Sequence, residues 1–160
     1  TVHSYTASQR LQDAPAKDWR EGRNAAENIV PTTTGAAIAV TKALPQLTGK
    51  FDGLSVRVPT PIVSLSDVTA LLQRPVTVEE VNAVFRQAAA DPAYQGILAV
   101  SDEPLVSSDF IANPHSGIVD LPLTKVVDGN LIKVMVWYDN EWGYSNRLVE
   151  LVARIGQATA

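Results

Sequence analysis

Two rhythms of apolar and polar residues alternate along this chain. From Leu54 to Pro59 the period is two: Leu54, Val56 and Val58 fall on one side, Ser55, Arg57 and Pro59 on the other, which predicts a strand with the valines toward a core. Thr60-Pro61 interrupts, and Ile62 to Leu72 resumes as a second strand. Gly96 to Val100 predicts a short strand. Ile118 to Val127 and Leu131 to Tyr138 predict two longer ones joined through Asp128-Gly129, a strong hairpin dipeptide. Thr1-Val2-His3 opens as though a strand were already under way.

The helical rhythm occurs three times. Ala36 to Leu47 is apolar nearly all round, through Ile38, Val40, Leu44 and Leu47, and predicts a buried helix. Thr77 to about Ala89 predicts another. Thr77 and Glu80 are spaced as a capping box, Val76 and Val81 as a hydrophobic staple, and Val78, Val81, Phe85 and Ala88 form the apolar face. Asp91-Pro92 ends it. Ser145 is placed to cap a last helix over 145–157, whose face carries Leu148, Val149, Leu151, Val152 and Ile155. Long strands joined largely as hairpins, with three helices, imply an α+β fold: a mixed, mostly antiparallel sheet with helices packed on one face.

Two stretches fit neither rhythm. Residues 101–117 read as a loop. Residues 7–31 are polar and irregular, with Arg10, Lys17, Arg20 and Arg23 offset by Asp13, Asp18, Glu21 and Glu27. A structureless segment of that length inside a compact domain is usually functional or a partner surface.

Composition narrows the choices. The 160 residues are 46% hydrophobic and 19% charged, an ordinary composition for one globular domain. A net charge of -4 gives no reason to expect nucleic acid or an anionic membrane as partner. No apolar run approaches the length of a membrane span, and no basic-plus-apolar leader opens the sequence. With no cysteine, this sequence has no disulfide, thiolate zinc site or thiol nucleophile. The strand-like opening, together with Met135 as the only methionine, leads to the expectation that the sequence is a piece of a longer chain.

Several residues are candidates for chemistry. Thr34-Gly35 stands where a helix begins. There the first backbone N–H groups lack internal partners, and a hydroxyl beside a glycine makes either a phosphate cradle or a simple helix cap. Arg57, held on a strand that Pro59 and Pro61 stiffen, suits bidentate recognition of phosphate or carboxylate, or else is a solvated face residue. His3 has the chemistry of a general base at neutral pH, or is a packed side chain. His115 sits in a loop and is given no role. Trp137 to Tyr144, WYDNEWGY, holds four of the ten aromatics; it reads as a packed strand-to-helix corner or as the floor of a ligand site. Its Asn140, between Tyr138 and Tyr144, offers a donor and an acceptor suited to a ligand carboxamide.

Taken in order, Thr1–Arg10 (TVHSYTASQR), Ile29–Ala37 (IVPTTTGAA), Arg57–Pro61 (RVPTP) and Trp137–Ser145 (WYDNEWGYS) resemble the catalytic domain of glyceraldehyde-3-phosphate dehydrogenase, over essentially all 160 residues. The resemblance implies an NAD-dependent, phosphorylating oxidation of an aldehyde phosphate through a cysteine thioester that inorganic phosphate then splits. By resemblance His3 is the catalytic histidine, and Thr6 and Arg57 belong to the site for the phosphate of glyceraldehyde 3-phosphate. Thr34 and Gly35 belong to the inorganic-phosphate site. Asn140 holds the nicotinamide carboxamide, with Tyr138 and Tyr144 around it. Residues 7–31 match the family's S-shaped loop between subunits of a homotetramer, Ala14-Pro15 resembles the NAD-preferring pattern, and the family is cytoplasmic and glycolytic.

The family's N-terminal dinucleotide-binding domain and its Ser-Cys-Thr-Thr-Asn segment are absent, and no G-x-G-x-x-G occurs. The 160 residues alone are therefore expected to be inactive, and helix 145–157 to pack on the absent domain. Asp109–Asp120 (DFIANPHSGIVD) is closer to a pattern shared with erythrose-4-phosphate dehydrogenases, which keeps that substrate open as an alternative. A third alternative is a truncated, non-enzymatic interaction or assembly module using residues 7–31.

Overall fold

A computed structural model describes residues 1–158. It divides into two compact units, Thr1–Pro61 and Ile62–Ala160.

The first unit contains β1 (Val2–Ser4), β2 (Val30–Thr32), α1 (Ala36–Ala43) and β3 (Ser55–Val58). β3 is central: β1 runs parallel to it, with His3 abreast of Arg57, and β2 runs antiparallel, with Val30 abreast of Arg57. The chain start is sewn into the sheet, since the Thr1 ammonium donates to the Leu54 carbonyl (2.9 Å) and the Val56 N–H donates to Thr1 (2.7 Å). β2 has no counterpart in the sequence reading, because three residues, one of them Pro31, are too short to show a period.

Two expectations about this unit are corrected. Leu54 is exposed and Ser55 is buried, the reverse of the alternation assigned to β3, while Val56, Arg57 and Val58 are all half-buried, so the strand shows no clean two-residue alternation. The apolar helix is shorter than expected. α1 stops at Ala43, a 3₁₀ turn over Pro45–Leu47 follows, and neither buries a residue. Pro45 cannot continue the hydrogen-bond ladder, and this unit brings nothing over Ile38, which stays 64% exposed.

Residues 7–29 form no helix or strand, as expected, yet they are folded on themselves. Asp13 is the hinge pin: one carboxylate oxygen accepts the Asn24 N–H (2.8 Å) and the other accepts Arg23 Nε (3.0 Å). The Asn24 N–H, with help from Arg23, holds the Asp13 carboxyl below its usual range. Ala14 N–H to Gly22 and Ala25 N–H to Arg10, both 2.9 Å, close the turns and bury Ala25.

The second unit contains β4 (Ser64–Leu71), α2 (Val78–Ala90), β5 (Leu98–Ser101), β6 (Gly117–Val127), β7 (Leu131–Tyr138) and α3 (Trp142–Ala158). Its strands lie in the order β4-β7-β6-β5, with β7 antiparallel to both neighbours and β5 parallel to β6. The fold is α+β with a mixed sheet, as the pattern implies. α2 begins on the expected capping box, both hydrogen bonds of which form between Thr77 and Glu80. It seats Val81 on Val119, Leu121 and Val134. The opposite face carries Val63, Phe110 and Ile118, with Trp137 stacked on Phe110 at 5.3 Å between centroids. The hairpin turns where both Asp128 and Gly129 have positive φ, as the dipeptide predicts.

Candidate functional site

In the first unit the sequence candidates gather around Arg57. Its guanidinium donates from one nitrogen to the hydroxyls of Thr6 and Ser8, each at 2.9 Å, and these hydroxyls lie 3.1 Å from each other. Glu21 approaches its other terminal nitrogen at 3.9 Å. The Arg57 side chain is only 17% exposed, so it is no solvated face residue; its charge is held in place by two neutral hydroxyls and one distant carboxylate. Such a cation, aimed by hydroxyls that do not neutralise it, is suited to an anion that can accept from all three. Ser8 and Glu21 were not singled out by the sequence reading. Ser8 was legible as the second residue after Thr6, but a three-residue serine-threonine spacing is common in loops.

His3 shares a sheet row with Arg57, and paired residues on adjacent strands project to the same face. Its Nδ1 lies 2.7 Å from the Ser4 carbonyl. A carbonyl only accepts, so Nδ1 carries the proton and Nε2 is the basic nitrogen of the neutral ring.

Thr34 and Gly35 precede α1. The Thr34 hydroxyl accepts the Ala36 N–H at 3.1 Å, so Thr34 does serve as a local cap, while Gly35 itself makes no side-chain cap. The space that a Cβ on Gly35 would enter is open to at least 4 Å. The cap and a cradle are thus compatible at the same place.

In the second unit the WYDNEWGY run is the corner between β7 and α3. Asp139, 1% exposed, accepts the N–H groups of Glu141 (3.0 Å) and Trp142 (2.8 Å) on one oxygen and that of Ala112 (2.9 Å) on the other. The Gly143 N–H donates to the Asp139 carbonyl at 3.0 Å. Asp139 is therefore the cap of the last helix, and the expectation for Ser145 is corrected: its hydroxyl donates back to the Glu141 carbonyl inside the first turn. The aspartate wins because its carboxylate reaches two orphan donors at the positive end of the helix.

Asn140 accepts a hydrogen bond from Ser64 Oγ at 3.3 Å. Ser64 is 2% exposed and stands abreast of Tyr138 in the β4–β7 pairing, two residues short of Asn140, which is how it reaches the carboxamide. The backbone turns sharply into Ser64, since the preceding Val63 has φ 71 and is held there by packing against Phe110 and Ile118. Tyr144 is 69% exposed and stands open on the first turn of α3. Trp137 anchors the corner through Nε1, which donates to the buried Asp120 at 2.9 Å. Neither Ser64 nor Asp139 was singled out by the sequence reading.

Elsewhere, a broad apolar groove of about 1010 Å³ between α2, Leu71 and Ile132 touches none of these residues. Among the described residues no cluster of histidine and carboxylate side chains is arranged to hold a metal, and no helix is long and apolar enough to cross a membrane.

Residues 1–140 match the family model described as glyceraldehyde 3-phosphate dehydrogenase, C-terminal domain. The chain is 56% identical over 158 residues to a glyceraldehyde-3-phosphate dehydrogenase of Mycobacterium avium, covering 99% of this chain and 46% of that protein. It is 54% identical to one of Mycolicibacterium smegmatis with the same coverage. To one of Streptomyces coelicolor it is 53% identical over 156 residues, 98% of this chain and 46% of the relative. The chain thus spans about half the length of the curated relatives it matches.

Proposed function

The chain belongs to the glyceraldehyde 3-phosphate dehydrogenase C-terminal domain family, and we propose that it is the catalytic-domain portion of an NAD-dependent, phosphorylating enzyme of that kind. The proposed reaction oxidises glyceraldehyde 3-phosphate through a thioester on a cysteine outside these residues and closes with phosphorolysis. The observation that carries the reading is the Arg57 guanidinium, held by Thr6 and Ser8 in the sheet row of His3.

Each residue has a role that its surroundings support. Arg57 and Thr6 bind the phosphate of the aldehyde, since a fixed guanidinium and a hydroxyl together satisfy several oxygens of one anion. Thr34 and Gly35 receive inorganic phosphate at the start of α1, where the helix dipole is positive, the Thr34 hydroxyl stands beside the Ala36 N–H and no Cβ intrudes. His3 takes and returns a proton at Nε2, its ring oriented by the Nδ1 contact to Ser4. General acid–base help of this kind contributes roughly 10²–10⁴-fold.

The donor set also fits a nicotinamide dinucleotide. Asn140 presents a carboxamide steered by Ser64, and Tyr144 adds an open aromatic ring on the first turn of α3. NAD, when bound, is the acceptor for the hydride lost from the aldehyde carbon. Asn140 holds the nicotinamide carboxamide and so selects the ring face. The apolar face of α3, with Val149 68% and Val152 63% exposed, packs on the cofactor-binding domain, and residues 7–31 lie between subunits of a homotetramer.

The test uses the full-length protein. Phosphate-dependent NADH formation from glyceraldehyde 3-phosphate, with kcat/KM well above that for erythrose 4-phosphate, is the expected result. A preference for the erythrose substrate, or an upstream reading frame without a cysteine nucleophile, overturns the reading.

A further inference from the structure

We propose that Asp139 is the positioning residue that aims Asn140. The proposal rests on the reading of Asn140 as the carboxamide contact. Asn140 lies between the carboxylate of Asp139 and the two N–H groups, of Glu141 and Trp142, that this carboxylate holds. The two peptide units that follow Asn140 are thereby fixed to one acceptor, and the unit before it is held separately through the Asp139 carbonyl, which accepts the Gly143 N–H. Capping alone does not explain the residue. A serine or threonine hydroxyl would satisfy one of these N–H groups without burying a charge, whereas Asp139 is 1% exposed.

The second oxygen supplies the reason for a carboxylate. It accepts the N–H of Ala112, a non-glycine residue in the left-handed region at φ 62. That bond ties residues 111–116 to the strand-to-helix corner. The tie is tight: a Cβ on Gly143 would come within 3.0 Å of the His115 carbonyl. One buried side chain thus clamps the end of β7, the start of α3 and the neighbouring loop. Ser64 then grips the side chain of the residue whose backbone the clamp fixes. Removing the second oxygen's acceptor character releases the loop while leaving the size of the side chain unchanged.

The experiment compares NAD with ADP-ribose, which lacks the nicotinamide, as ligands of the full-length protein by calorimetry. Asp139→Asn is expected to weaken NAD binding by about 10-fold or more and to leave ADP-ribose binding unchanged, in the range typical for residues that orient a ligating group. Asp139→Ser, which can still cap the helix but cannot also hold the Ala112 N–H, is expected to shift the same ratio in the same direction and decides the matter if Asp139→Asn does not fold; Ser64→Ala, which keeps the cap, is expected to shift it as well. Equal weakening of both ligands, or of neither, by the folded variants overturns the proposal. Asn140→Ala separates the two levels. If it leaves the NAD to ADP-ribose ratio unchanged, the reading of Asn140 fails and the positioning role with it. If it lowers the ratio while the folded Asp139 variants do not, the positioning role alone fails.

Discussion

His3 and Arg57 stand abreast in the parallel pairing of β1 with β3, so a base and a fixed cation leave one face of one short sheet. Neither strand exceeds four residues, and their register is secured by the hydrogen bonds of Thr1 at the very start of the chain. The pairing matters because it places an imidazole and a fixed guanidinium in one row without relying on a flexible loop.

The first prediction follows from the arginine. Arg57→Ala in the full-length protein should raise KM for the phosphorylated aldehyde by about 10- to 100-fold, the equivalent of losing charge-assisted hydrogen bonds. Arg57→Lys should recover only part of this, since an ammonium cannot span Thr6, Ser8 and a phosphate as a planar fork does. The dissociation constant for NAD should stay unchanged in both. Equal losses in aldehyde and NAD binding would mark Arg57 as a structural residue.

His3→Asn keeps a donor at the Ser4 carbonyl and removes the basic nitrogen. The expected outcome is a fall in kcat of roughly 10²–10⁴-fold with KM for the aldehyde little changed. The catalytic thiol should also become slower to alkylate at neutral pH, because a nearby imidazolium no longer favours its thiolate. Unchanged alkylation kinetics would remove His3 from that pairing.

How much of this was legible in the sequence depends on the range over which each feature is encoded. The Thr77–Glu80 cap and the Asp128-Gly129 turn were readable because the residues that make them are three apart or adjacent. The resemblance, carried by four blocks, brought His3, Thr6, Arg57 and Asn140 forward. What escaped was set by distant pairings. Ser64 reaches Asn140 only because β4 lies antiparallel to β7, and Asp139 accepts from Ala112 only because the chain returns there after 27 residues. The exposure of α1 also escaped: an apolar helix signals that something must cover it, and the sequence of the helix does not say whether that cover comes from the same unit.

Two lowered carboxyls make opposite predictions about their partners. Asp102 is held below the usual carboxylate range by the bidentate hydrogen bond from Arg86, whereas Asp13 is held low first by the Asn24 N–H and only then by Arg23. Arg86→Ala should therefore return Asp102 to an ordinary titration, while Arg23→Ala should leave Asp13 still depressed. For a carboxyl lowered in the folded state, the stabilisation is present above its unfolded pKa and is lost as pH falls through the folded value. Both pairs are exposed, so added salt should shrink the Arg86 effect far more than the Asn24 effect. Carboxyl titration by NMR checks each. An Asp102 that still titrates low without Arg86 would refute the assignment.

The last prediction concerns Gly22, inside the irregular segment of the first unit. Its φ is unexceptional, so the requirement for glycine is spatial: a Cβ would lie 2.6 Å from the Ala14 carbonyl oxygen and 3.3 Å from the Ala16 Cβ. The carbonyl belongs to backbone whose own N–H is bonded to Gly22, so the two strands of this turn cannot separate without breaking that 2.9 Å bond. Gly22→Ala should cost about 1–3 kcal/mol, the range for forcing an extra carbon into a packed place, offset only slightly by the reduced freedom of the unfolded chain. Thermal unfolding of the full-length protein reads the loss, and faster amide exchange at Ala14 and Ala25 reports that residues 7–31 have opened. An alanine variant as stable as the parent, with exchange unchanged, would show that the segment is not held together by this contact.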